Sequence, residues 1–181
     1  GLRLGGTVSY AGRAAIQLGA SVGILTSGNP RDRVRLQKAL CGAQVRWVDS
    51  PESMIFRNSY SEDGQRTQHL LSEAAPLASN QLPEGWKSAP IVHLGPLANE
   101  IPAEFIDSIG AQSLIGVTPQ GWLRRQRPDG SVEPREWHGY SRILDRADVL
   151  VFSEQDVRSW REASRYVDSA KLAVITRADK G

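Results

Sequence analysis

Gly5 and Gly6 stand directly ahead of a helical pattern, and no other pair of residues in the chain has so direct a chemical consequence. Glycines let the backbone come close to a bound group. The free N–H groups of a helix N-terminus, with the helix dipole behind them, favour oxygen-rich or anionic ligands. A tight turn before a core helix, with Tyr10 packed against it, would use the same residues. Ser153 and Asp156 are spaced as a helix-capping box after an apolar run. Gly95, Pro96, Thr118 and Gln120 follow two further short apolar runs. In a parallel sheet they would lie beyond the carboxyl ends of strands, where ligands bind. His69, His93 and His138 show no metal-ligand spacing. The chain contains neither Gly-x-x-x-x-Gly-Lys nor Gly-x-Gly-x-x-Gly after a strand, so a Walker-type phosphate loop and a dinucleotide fold are unsupported. Residues 122–127 mix Trp122 with three arginines as single-stranded nucleic-acid sites do, yet one such cluster beside an acidic stretch is thin support.

The elements that must position these residues alternate. Val8, Ala11, Ala15 and Leu18 share a helix face, Gly19 stops that helix, and 22–26 reads as a short core strand. Asn29 and Pro30 open a second helix over 31–41, with Val34, Leu36 and Leu40 as a partial apolar stripe and Gly42 as its stop. A strand follows at 45–48. Over 53–71 the period changes to two: Met54, Phe56, Asn58 and Tyr60 share a face, and Glu62-Asp63-Gly64 turns the chain back. Residues 72–88 have the composition of a surface crossing. Strands are then expected at 91–94, 114–117, 149–152 and 172–176. Helices are expected at 102–109, at 140–145 and from the 153–156 motif to Tyr166, with a turn at Asp129-Gly130. Strand and helix alternating through short connections predict an α/β fold with a mostly parallel sheet covered on both faces.

Gly5-Gly6 and the helix ending in Leu18-Gly19 resemble the opening signature of the PfkB/ribokinase family of sugar and nucleoside kinases. Tyr10 stands where that family usually has a substrate-binding Asn. In the same order, Ser153-x-x-Asp156 resembles the family's Asn-x-x-Glu motif, whose acid helps position magnesium and phosphate. The run from Thr176 to Gly181 resembles its Thr-x-Gly-x-x-Gly nucleotide loop, with Ala178 at the middle glycine. The resemblance implies a three-layer α/β/α ribokinase-like sheet in one domain, with 53–71 inserted as a β-lid that also mediates dimerisation. It implies ATP-dependent phosphoryl transfer to a hydroxyl of a sugar, polyol or nucleoside. Gly5, Gly6, Tyr10, Phe56 and Pro96 would hold the substrate. Ser153, Asp156, Thr176 and Gly181 would face the nucleotide, and Asp156 the Mg2+. The family's catalytic Asp lies in a Gly-Ala-Gly-Asp loop, and no Gly-x-Gly-Asp occurs in these residues. The family strand that precedes the glycine pair is absent as well. The 181 residues are therefore expected to be incomplete for turnover at both ends. A non-catalytic ligand-binding or dimerising relative is the alternative.

Composition bounds the partners. Twenty-two basic against 20 acidic residues give a net charge of +2, too weak a field to imply nucleic acid or membrane. Cys41 is the only cysteine, which excludes an internal disulfide and a thiolate metal cluster and suits a reducing cytoplasm. The longest nearly uncharged apolar stretch, 89–98, is interrupted by Pro90 and Pro96 and is too short to span a bilayer.

Overall fold

The computed structural model describes residues 3–60, 66–177 and 180. Helix α1 (Gly6–Gln17) starts after Gly5, in extended conformation, and ends where Gly19 takes φ +82°. Strand β1 (Val22–Gly28) follows, then α2 (Pro30–Ala39), whose cap Asn29 accepts a hydrogen bond from Arg31 N at 3.1 Å. Gly42, at φ +103°, turns the chain into β2 (Ala43–Asp49). β1 and β2 pair in parallel from Val22↔Ala43 to Gly28↔Asp49. Ile24, Leu36 and Leu40 form the small core beneath the two helices. Val34 departs from the expected stripe and is exposed, because the face of α2 that meets β2 runs through Leu36 and Leu40.

The expected hairpin is present as β3 (Ile55–Tyr60) and β4 (Arg66–Ser72), antiparallel with a bulge at Ile55/Phe56. The Glu62-Asp63-Gly64 turn lies outside the described residues. Chain connection 72–88 is not a surface crossing. Ala74 and Leu77 are buried, and Trp86 packs so closely on Gly23 that a Cβ there would meet its ring at 2.9 Å.

The main sheet holds β5 (Ile91–Leu94), β6 (Leu114–Val117), β9 (Val149–Ser153) and β10 (Ala173–Thr176), all parallel in the order β10-β9-β6-β5. Between β6 and β9 comes an unforeseen second hairpin, β7 (Arg124–Gln126) and β8 (Val132–Pro134), built around Asp129 and Gly130. The expected helix at 102–109 is a 3-10 helix, Ala103–Ser108; α3 is Tyr140–Leu144. After β9 the chain makes a 3-10 turn, Glu154–Asp156, before α4 (Trp160–Ser169) starts from its own cap, Ser159. Ile106, Ile115, Val117, Leu123, Ile143 and Leu150 centre the core, and Leu25 and Val48 join the β1–β2 pair to it.

Trp122 is 5% exposed and its indole N–H donates to Ile101 O at 2.7 Å, so it offers no face for base stacking. It stacks instead on Trp137, at 5.2 Å between ring centres. Tyr166 closes this cluster. Its hydroxyl accepts from Trp137 N at 2.9 Å and donates to the buried Glu162 carboxylate at 2.7 Å. Burial pushes the phenol's pKa up. Glu162 is also bonded by Arg158, which shares Glu136 with Arg165.

Two expectations follow. Tyr166→Phe leaves a buried amide and a buried carboxylate short of a partner and is expected to cost about 1–3 kcal/mol, read by urea unfolding; an unchanged midpoint contradicts it. Hydrogen bonds from Arg165 and then Arg158 hold the Glu136 carboxyl below its ordinary 4.5. A carboxyl depressed on folding adds stability that is present above that value and is lost as pH falls. Tm is therefore expected to drop from about pH 5 towards about pH 3. Glu136→Gln should make the drop shallower without abolishing it, since Lys171 and Arg127 hold Asp148 and Glu133 low in the same way.

Candidate functional site at the carboxyl ends of the strands

The site is built where loops leave β5, β6 and β9. Thr118 N donates to Leu94 O at 2.9 Å, Gly121 N to Pro96 O at 2.8 Å, and His93 Nε2 lies 3.0 Å from Thr118 Oγ1. Glycine makes this stacking possible. A Cβ on Gly121 would stand 2.7–2.8 Å from the backbone of Pro96, Leu97 and Ala98, and one on Gly95 would stand 2.2 Å from the Thr7 methyl group. The first turn of α1 thus abuts the end of β5. Gly6, at φ +76°, faces the Leu97 side chain, where a Cβ would come within 2.7 Å. No side chain caps this helix end and no acidic residue occupies its first turn, which suits it to an oxygen ligand.

Residues 97–100 are held from within. Leu97 N and Ala98 N each donate to the Glu100 carboxylate at 2.7 Å, and burial raises that carboxyl's pKa. Asn99 takes the left-handed φ of +63° and accepts a hydrogen bond from Arg135. A small recess opens above this loop, lined by Phe56, Leu70, Leu97, Asn99, Arg124 and Gln126. Phe56 and Leu70 are direct partners across the β3–β4 hairpin. The second hairpin holds the first in place: Leu70 N donates to Gly130 O at 2.9 Å, and Gln126 Nε2 donates to Leu70 O at 2.9 Å.

The residues singled out in the sequence therefore divide. Gly6 packs against the Leu97 side chain and Phe56 lines the recess with it, whereas nothing lies within 4 Å of a carbon added at Gly5. Pro96 is fully buried and shapes the loop through its carbonyl, leaving the lining to the residues after it. Tyr10 is 71% exposed on the outer side of α1. Ser153 and Thr176 are register partners on β9 and β10, and Gly181 lies outside the described residues. Leu97, Asn99, Arg124 and Gln126 were not singled out as site residues. The cation-rich run after Trp122 was the signal for Arg124 and Gln126, in strands too short to show a period, and Leu97 and Asn99 lie in the loop after β5. Gly19-Ala20-Ser21-Val22-Gly23 has the spacing of a nucleophile elbow, but it runs from helix to strand, the reverse of what presents a serine. A more open depression formed by α4 carries Arg158, Arg161 and Arg165, two of which already pair with Glu136.

Asp156 is 7% exposed. One carboxylate oxygen accepts from Ser153 N at 3.0 Å; the other accepts from Gln120 Nε2 and Arg124 Nη2, both at 3.3 Å. Ser153 Oγ in turn accepts from Gln155 N at 3.2 Å, which completes the capping box the sequence suggested. Among the described residues no group of three His, Cys, Asp or Glu side chains could share a metal ion. A buried carboxylate neutralised by a guanidinium, and belonging to no such group of three, does not fit a divalent cation.

No protein-family profile and no curated protein matches this chain. Solved structures do. A pyrophosphate-dependent kinase in the ribokinase family, complexed with a pyrophosphate analog and myo-inositol, superimposes with a TM-score of 0.78 at 22% identity, covering 96% of this chain and 64% of its own. A pyrophosphate-dependent myo-inositol-1 kinase converted into a myo-inositol-3 kinase gives 0.82 at 19% identity, covering 98% and 64%. Ribokinase from Giardia lamblia gives 0.62 at 12% identity, covering 96% and 59%. The fold is thus ribokinase-like, and the chain spans under two thirds of the length of these structures.

Gly121→Ala is expected to destabilise the protein by about 1–3 kcal/mol, because its Cβ meets backbone that cannot swing aside. Gly5→Ala, with nothing within 4 Å of the added carbon and a φ of −146°, should leave Tm unchanged. Equal melting of the two variants would contradict the loop packing.

Proposed function

We propose, from the fold this chain shares with ribokinase-family kinases, that it is the acceptor-binding part and the start of the donor-binding part of a PfkB-type carbohydrate kinase. The observation that supports this most is the recess at the carboxyl ends of the strands, where the Phe56 face of the hairpin meets the 97–99 loop, with the α1 N-terminus packed at Gly6 against the Leu97 side chain. In this reading Gly5 and Gly6 present backbone N–H groups to oxygens of a sugar, polyol or nucleoside. Phe56 covers an apolar ring face, and Asn99 and Gln126 give the recess its polar rim. The acceptor hydroxyl oxygen forms the new P–O bond, the bond from phosphorus to the donor's leaving oxygen breaks, and the hydroxyl proton passes to a base. That base is not among these residues, which lack Gly-x-Gly-Asp. Holding the acceptor in line and excluding water from it is the work left to this chain.

Thr176 and Ser153 stand at adjacent strand ends on the donor side, and Gly181 belongs to the same expected loop. ATP with Mg2+ is the donor the sequence motifs imply. A second donor, pyrophosphate, is favoured by the similarity itself: the pyrophosphate-dependent kinases superimpose at 0.78 and 0.82, against 0.62 for the Giardia ribokinase. A cytoplasmic location and a homodimer through the lid belong to the same proposal, and a non-catalytic relative is its rival.

The test uses the full-length protein, assayed with ATP and with pyrophosphate against a panel of sugars, polyols and nucleosides. Acceptor-dependent release of ADP or phosphate is expected, and Phe56→Ala is expected to raise the acceptor KM about tenfold by removing a buried ring contact. No turnover with either donor would leave the binding relative as the reading.

A further inference from the structure

Arg124 and Asp156 are 8% and 7% exposed and come from different parts of the chain, β7 and the turn after β9. Their contact is made at 3.3 Å, with Gln120, from the loop after β6, on the same carboxylate oxygen. The other oxygen is held by Ser153 N. Three of this carboxylate's lone-pair directions are taken by protein donors, and its charge is already balanced by Arg124. Arg124 also lines the recess with Phe56, Leu97 and Gln126. One residue therefore lines the recess and pairs through its guanidinium with the turn after β9. Its hairpin is fixed to β4 by two hydrogen bonds, from Gln126 Nε2 to Leu70 O and from Leu70 N to Gly130 O, so β7 and the first hairpin are held in one arrangement.

We infer that Arg124 is a positioning residue that stands against Asp156 where a metal ion would otherwise be ligated, and so couples the acceptor recess to the donor-side turn. The inference rests on the kinase reading for its catalytic consequence but not for the pairing itself. Any divalent cation the reaction uses then arrives on the donor phosphates, and Asp156 orients Ser153 without ligating metal.

The experiment compares full-length wild type, Asp156→Asn, Arg124→Gln and the double variant, which keeps hydrogen-bonding groups at both positions and removes both charges of the pair. With Mn2+ as the probe and no donor present, EPR of the free ion is expected to show wild type and Asp156→Asn binding within twofold of each other. In turnover, the metal concentration for half-maximal rate should likewise move less than twofold. The kcat of each single variant should fall at least tenfold, with the acceptor KM changing for Arg124→Gln more than for Asp156→Asn. The double variant should lose no more than the worse single one. Mn2+ binding weakened tenfold or more by Asp156→Asn would overturn the inference, because the carboxylate would then be a ligand. Unchanged kcat in variants that merely melt lower would overturn it too, as that is a structural pair. Should the wild type prove inactive, the kinase reading falls while the Mn2+ comparison still decides whether Asp156 ligates metal.

Discussion

Backbone contact between the loops that leave β5 and β6 is the constraint on which the rest of the site depends. Gly121 lies against Pro96, Leu97 and Ala98 at distances no side chain would permit, and Gly95 admits the first turn of α1. These approaches place Leu97 against Gly6 on one side and in the recess with Phe56 on the other, so the helix N-terminus borders the loop that the hairpin face meets. Without them the helix end and the hairpin would each remain a local feature. The Glu100 carboxylate adds a second fixing, because it satisfies two amides of a loop that has no strand or helix to pair with.

Electrostatics binds the same region from the other side. Arg124, Gln120 and Ser153 surround Asp156 and tie the ends of β6 and β9 to the second hairpin. A buried ion pair of this kind adds little net stability, but losing one partner is costly, so its value lies in specifying one arrangement of three loops. The second hairpin then ties that arrangement to β4 of the first hairpin.

Much of the fold was legible in the sequence. Strands at 91–94 and 114–117 were read with their observed bounds, and Asn29, Pro30, Gly19 and Gly42 marked helix ends because each residue has one strong backbone preference. The 53–71 hairpin announced itself through its period of two. The β7–β8 hairpin did not, since its strands, Arg-Arg-Gln and Val-Glu-Pro, are too short to show a period and mostly poor in β-propensity. Trp122 beside arginines looked like a nucleic-acid surface, but the side chain is drawn inward by Trp137 and the Ile101 carbonyl. Of the site, the glycine pair and Phe56 were legible from local spacing. Leu97, Asn99, Arg124 and Gln126 became visible only when loops distant in sequence were stacked. The partner of Asp156 was hidden for the same reason: 32 residues separate it from Arg124.

The most direct test of this account is amide hydrogen exchange on the full-length protein with and without a saturating sugar or polyol acceptor. Binding at the recess predicts slowed exchange in the first turn of α1, in β3 and β4 around Phe56 and Leu70, and in residues 95–99, together and at the same ligand concentration. Protection confined to α4 around Arg158 and Arg165, with residues 95–99 unchanged, would contradict it.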